Sequence, residues 1–207
     1  ALYNAAGAVV PADTAGQGVA TYRLTPGEAY AYVTTAGEYY HATAGFTAAD
    51  GLTVEAAAPR QEDWLASLQA ANGITAQKLQ DDPYLPEPAF SPGVHVYRFP
   101  VSDCNSAFGL WVTTAAEDIT VTATYTRLST GRQESRSVTP GKATGASLGG
   151  LLEVTGYANQ AVVRAEQVDN GVTYYQEYIL AVSRNLHAYD LDLTVEGETV
   201  VLDGGGG

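Results

Sequence analysis

The residues of this chain best equipped for chemistry are three histidines, one cysteine and two pairs of adjacent carboxylates, and their spacing argues against catalysis. His41, His95 and His187 fall in separate strand-like segments. None stands beside the serine and acid that a nucleophile and its base require. Cys104 lies in the polar run Ser102-Asp103-Cys104-Asn105-Ser106, with no basic neighbour to lower its pKa, and reads as an incidental free thiol. The carboxylate pairs are Asp81-Asp82 and Glu117-Asp118. Glycoside hydrolysis needs two carboxyls about 5 to 9 Å apart across a cleft, whereas neighbours on an extended chain point apart. Asp81, Asp82, Glu87 and Asp103 supply the hard oxygens that calcium prefers, but no Asp-x-Asp-x-Asn loop arranges them, so no metal is expected. The glycines from Gly145 to Gly150 read as a turn rather than a phosphate cradle. A Lys–Asn isopeptide bond would have to use Lys78, in an irregular stretch, or Lys142, in a turn after Pro140-Gly141. Neither is placed for it. No catalytic residue and no cofactor is expected.

Tyrosine is the residue that invites a binding role. Tyr22, Tyr30, Tyr32, Tyr39 and Tyr40 crowd the first forty residues, and Tyr174, Tyr175 and Tyr178 fall close together near the end. Aromatic platforms are how β-sheets hold sugars and protein partners. Tyrosine is also an ordinary half-buried strand residue, and packing is the plainer reading. If a ligand face exists, it is expected on Tyr30, Tyr32, Tyr39 and Tyr40, with host or cell-wall glycans or surface proteins as partners.

The elements that must position these residues read as strands. Hydrophobic residues make up 45% of the chain and tyrosines number 14, so a packed fold is expected rather than disorder. Acidic residues outnumber basic ones 23 to 10, for a formal charge of −13, which repels nucleic acid and anionic lipid. Strand patterns fall at Leu2-Tyr3-Asn4, over 20–24, at Tyr30, Tyr32 and Thr34, over 39–43, and at Leu52, Val54 and Ala56. The pattern breaks at Ala57-Ala58-Pro59-Arg60, a plausible module boundary. Residues 65–70 fit either a short helix or a strand, and three prolines within 83–88 mark a loop. Further strands are expected over 94–101, 108–113, 119–127, 134–139, 161–166 and 174–183. In the clearest, Ile119, Val121, Ala123 and Tyr125 alternate with threonines and should face a core. Asp169-Asn170-Gly171 between two strand patterns predicts a hairpin turn.

Residues 63 to 184 resemble the bacterial cadherin-like β-sandwich repeat. The resemblance rests on LASLQA (65–70), PAFSPGVHVYRFPV (88–101), ITVTATYT (119–126) and NGVTYYQEYILAVSR (170–184). Within it, Ala89, Phe90, Ser91, Pro92 and Tyr97 combine with a closing Tyr178, Leu180, Val182 and Arg184. The stretch before it, 1–58, resembles the small carboxypeptidase-regulatory-like or PEGA-like β-sandwich. YNAAGAVV (3–10), YRLTPGEAYAYVTTAGEYYHATAGF (22–46) and GLTVEA (51–56) carry that second resemblance. The two imply an all-β chain of tandem antiparallel immunoglobulin-like β-sandwich modules, 1–58 and 63–185, and a strand rather than a helix over 65–70. Residues 186–207 form a tail. Tyr189 to Val195 repeats the character of Trp64 to Ala70, so the tail is expected to open a following module.

No Met occurs, and four glycines follow the strand-like Thr199-Val200-Val201-Leu202, so the chain is expected to be a piece of a longer polypeptide. The expected role is that of a non-catalytic module of a bacterial cell-surface or secreted protein, acting in display, spacing or adhesion. A carbohydrate-binding module and an accessory region of a secreted enzyme are the alternatives. The expected location is extracellular and envelope-associated, with no nucleic-acid partner and no membrane contact by this segment.

Overall fold

A computed structural model describes residues 1–102, 104–153, 158–185, 191–195 and 198–202. In chain order its elements are β1 (Leu2–Asn4), β2 (Val9–Val10), β3 (Thr14–Gly16), β4 (Val19–Thr21), β5 (Ala29–Ala36), β6 (Tyr40–Thr47), β7 (Leu65–Ala71) and a short helix α1 (Ala76–Asp81). There follow β8 (Pro83–Tyr84), β9 (Val96–Ser102), β10 (Gly109–Thr114), β11 (Thr120–Arg127), β12 (Arg132–Val138), β13 (Ala146–Ser147), β14 (Ala158–Asp169), β15 (Val172–Asn185), β16 (Leu191–Val195) and β17 (Glu198–Leu202). The chain is all-β with antiparallel sheets, as its alternation of apolar and threonine residues predicts. No helix among the described residues is long and apolar enough to cross a membrane.

Two sheets face each other over residues 64–185. One runs β12-β11-β14-β15, with β9 added in parallel to β15; the other runs β13-β10-β7-β8. Their inward side chains meet in one hydrophobic cluster. Ile119, Val121, Ala123 and Tyr125 all enter it, because period-two alternation sends every second residue of β11 inward. From β15 come Tyr178, Leu180 and Val182, and from β9 come Tyr97, Phe99 and Val101. Each such large side chain stabilises by about 1.5–3 kcal/mol relative to exposure. The Phe90-Ser91-Pro92 segment closes this core from the side. Tyr97 donates its hydroxyl to the Ser91 carbonyl at 2.9 Å, and Phe90 stacks on the Tyr97 ring.

Residues 65–71 are a strand, not a helix: β7 pairs along its length with β10. Trp111 sits on the outer side of β10 and is nonetheless buried, because the loop before β13 closes over its ring. Gly145 makes that approach; a Cβ there would stand 2.6 Å from the indole. The expected loop over 81–88 is more ordered than three prolines suggest. Thr75 caps α1, and Pro83 opens a two-residue edge strand, a place where no ladder donor is needed. A strand was expected at Leu52, Val54 and Ala56, but this stretch pairs with no strand, and Leu52 and Val54 are exposed.

The main departure from the sequence reading concerns the first fifty residues. β2-β1-β5-β6 form a meander that joins the larger sheet by pairing β6 with the first part of β15. One hydrogen-bonded sheet thus carries both regions, where the sequence suggested two separate sandwiches. The cause is the length of the β14 and β15 hairpin. Its twelve paired positions outrun β11, which ends its pairing at Glu166, and β9, which begins at Ile179. That leaves an open ladder edge on β15, and unpaired backbone groups demand partners. The hairpin turns at Asn170 (φ 50°) and Gly171 (φ 78°), the left-handed pair of a type I′ turn. The strand expected in the tail is present as β16, which pairs with β17. Tyr189, Asp190 and the closing glycines lie outside the described residues.

Candidate functional site

The densest cluster of polar and aromatic side chains lies where the meander meets the sandwich. Along one edge of β15 run two strands end to end: β6, paired over 173–176, and β9, paired over 179–185. The gap between them is bridged by backbone. Glu177 N–H donates to the Tyr39 carbonyl at 3.0 Å, and Ile179 N–H donates to the His95 carbonyl at 2.7 Å.

His95 fills this gap and is only 6% exposed. Its ring stacks on Tyr39 at 4.8 Å and on Tyr178 at 4.6 Å, with Tyr40 edge-on. Nδ1 lies 2.9 Å from the Glu177 carbonyl, and Nε2 lies 2.9 Å from the Tyr40 hydroxyl. A carbonyl only accepts, so Nδ1 carries the proton and Nε2 accepts from Tyr40. Burial lowers the pKa of His95, opposed by the Glu177 carbonyl and by Asp63. Burial likewise raises the Tyr40 and Tyr178 hydroxyls.

The linker is stitched to the same strand. Tyr178 donates to Gln176 Oε1 at 3.0 Å, and the fully buried Gln176 donates from Nε2 to the Glu62 carbonyl. Arg60 lies over the Tyr174 ring at 4.0 Å, donates to Gln167 Oε1 at 2.6 Å and pairs with Asp169. On the opposite face, Arg164 covers Tyr175 at 3.5 Å and His41 stacks on the same ring at 4.5 Å. His41 Nε2 stands 3.9 Å from the Glu177 carboxylate.

Of the four tyrosines expected on a ligand face, Tyr39 and Tyr40 are therefore part of this joint. Tyr30 and Tyr32 share the alternation of β5, but segments of coil take up their hydroxyls. Thr25 N–H donates to Tyr30, and Ala57 N–H donates to Tyr32 at 3.1 Å. Tyr30 also stacks on Phe46. The acidic residues weighed for calcium are spread out: Asp81 accepts from Gln77, Asp82 from Asn72, and Glu87 pairs with Arg98. Asp103 and His187 lie outside the described residues. Among the described residues no three His, Cys, Asp or Glu side chains are grouped to hold a metal ion. Asp118 accepts from Gln167, Lys78 pairs with Asp82, and Cys104 is exposed beside Ser102.

Gln176, Glu62 and Arg60 were not singled out by sequence. One signal for the first was available: in Tyr174, Gln176 and Tyr178 it is the single amide on an otherwise aromatic inward face. Both nitrogens of the His95 imidazole are engaged within the molecule, whereas the buried ring nitrogens of His41 have no hydrogen-bond partner. No family model, curated protein or solved structure matches the chain.

Proposed function

We propose that this chain is a non-catalytic display or spacer module of a bacterial cell-surface or secreted protein, built as a stiff arm. The observation that carries the reading is that β15 belongs to both halves, with β6 and β9 sharing one of its edges. Two regions joined by a continuous strand, a buried amide and a stacked imidazole present their ends in a fixed relation. A spacer or an adhesive stalk needs that property, and the acidic surface favours solubility over adsorption to anionic polymers.

The strand order also supports an immunoglobulin-like reading of 63–185. β7, β10 and β13 take the places of strands A, B and E, and β11, β14 and β15 those of C, F and G. The cadherin-like and PEGA-like kinships belong to the same proposal, with the PEGA-like region carried as a meander on the shared sheet. The carbohydrate-binding alternative draws less support, because Tyr32, Tyr39 and Tyr40 are engaged within the molecule.

The experiment is staining of intact, unpermeabilised cells of the source bacterium with an antibody raised against this chain. Surface staining, with antigen also released into the medium if the parent protein is shed, is the expected result. Antigen reached only after the cells are opened contradicts the proposal.

A further inference from the structure

We propose that the joint is acid-sensitive: protonation of His95 releases the meander of residues 1–47 from β15 while the sandwich stays folded. Burial makes a second proton costly to place. Nδ1 already donates to the Glu177 carbonyl, so the proton must enter at Nε2, which now accepts from Tyr40. The Tyr40 hydroxyl would have to turn and accept, and a full charge would sit at a site only 6% exposed, where the lost hydration is offset only in part by the tyrosine faces.

The groups facing His95 come from three elements. From the turn and β6 come Tyr39 and Tyr40, with Glu38 beside Tyr39; from β15 come Tyr178 and the Glu177 carbonyl; from the linker comes Asp63. The Glu177 carboxylate serves His41 on the other face. Among the described residues Asp63 is the countercharge that acts on His95, and it is outweighed by burial. The imidazole therefore binds its proton less readily in the joint than when detached. The joint has its full strength above the ordinary histidine range and weakens as pH falls through that range toward the lowered value.

Release rather than unfolding follows from the unequal ladders. Four residue pairs hold β6 to β15, against seven for β9 and twelve for β14. The main hydrophobic cluster includes no residue before Trp64, so detachment of the meander leaves it intact.

The test is single-molecule energy transfer between dyes on Cys104, at the far end of the sandwich, and on a Val9→Cys variant in the meander; both positions are exposed. One narrow population is expected at about pH 7.5, with a second, low-transfer population growing about tenfold or more by about pH 5. His95→Gln should abolish that growth. A closed joint at both pH values, or a response that survives His95→Gln, overturns the proposal. If His95→Gln is open throughout, the NMR titration of the wild-type imidazole decides. A pKa below that of free histidine upholds the proposal; one at or above it overturns it. A broad distribution already at neutral pH would instead defeat the stiff-arm reading.

Discussion

At the scale of single residues, the joint depends on a few buried polar groups whose partners are all internal. Tyr178 and Gln176 are the clearest pair. Changing Tyr178 to Phe keeps the ring but leaves Gln176 Oε1 buried without its donor, so urea unfolding should show a loss of about 1–3 kcal/mol. Arg60 is more open to water, and Arg60→Ala should cost only about 1 kcal/mol, from a screened ion pair and a lost cation–π contact. A cost above that of Tyr178→Phe would show that the linker, not the strand, holds the joint. Residue chemistry was only partly legible in the sequence. The crowding of Tyr39 and Tyr40 marked a special place, yet nothing local said that their rings would close on His95, more than fifty positions away.

At the scale of elements, legibility tracks how local the determining contacts are. Strand β11 announces itself through strict alternation, and the Asn170-Gly171 turn through two residues tolerant of positive φ. Gly171→Val should therefore destabilise by about 1–2 kcal/mol from left-handed strain alone, measurable as a lowered urea midpoint. An unchanged midpoint would place the turn outside the folded hairpin. The loop over Trp111 gave no such sign, because a close approach between Gly145 and an indole is set by tertiary packing. Gly145→Ala should push that ring toward water, with a red-shifted tryptophan emission and a loss of about 1–3 kcal/mol. The failed strand at Leu52 and Val54 belongs here too. Its alternation is real, but the segment is held by side chains rather than by a ladder: Ala57 N–H donates to the Tyr32 hydroxyl, and the Ala57 carbonyl accepts from Thr34.

At the scale of the whole molecule, the sequence identified the class of fold and missed its continuity. Patterns of two and turns of two report on strands and hairpins, whereas the choice of β15 as partner for β6 spans about 130 residues of chain and is decided by which edge is left open. The consequence is one hydrogen-bonded sheet across both regions, where the break at Ala57-Ala58-Pro59-Arg60 suggested two modules. Residual dipolar couplings of backbone amides, measured at neutral pH, test this most directly. A single alignment tensor should fit residues 1–47 and 64–185 together, because both are parts of the sheet that β15 carries. Two different tensors, or couplings averaged toward zero in the first region alone, would show independent modules on a flexible linker and contradict the account.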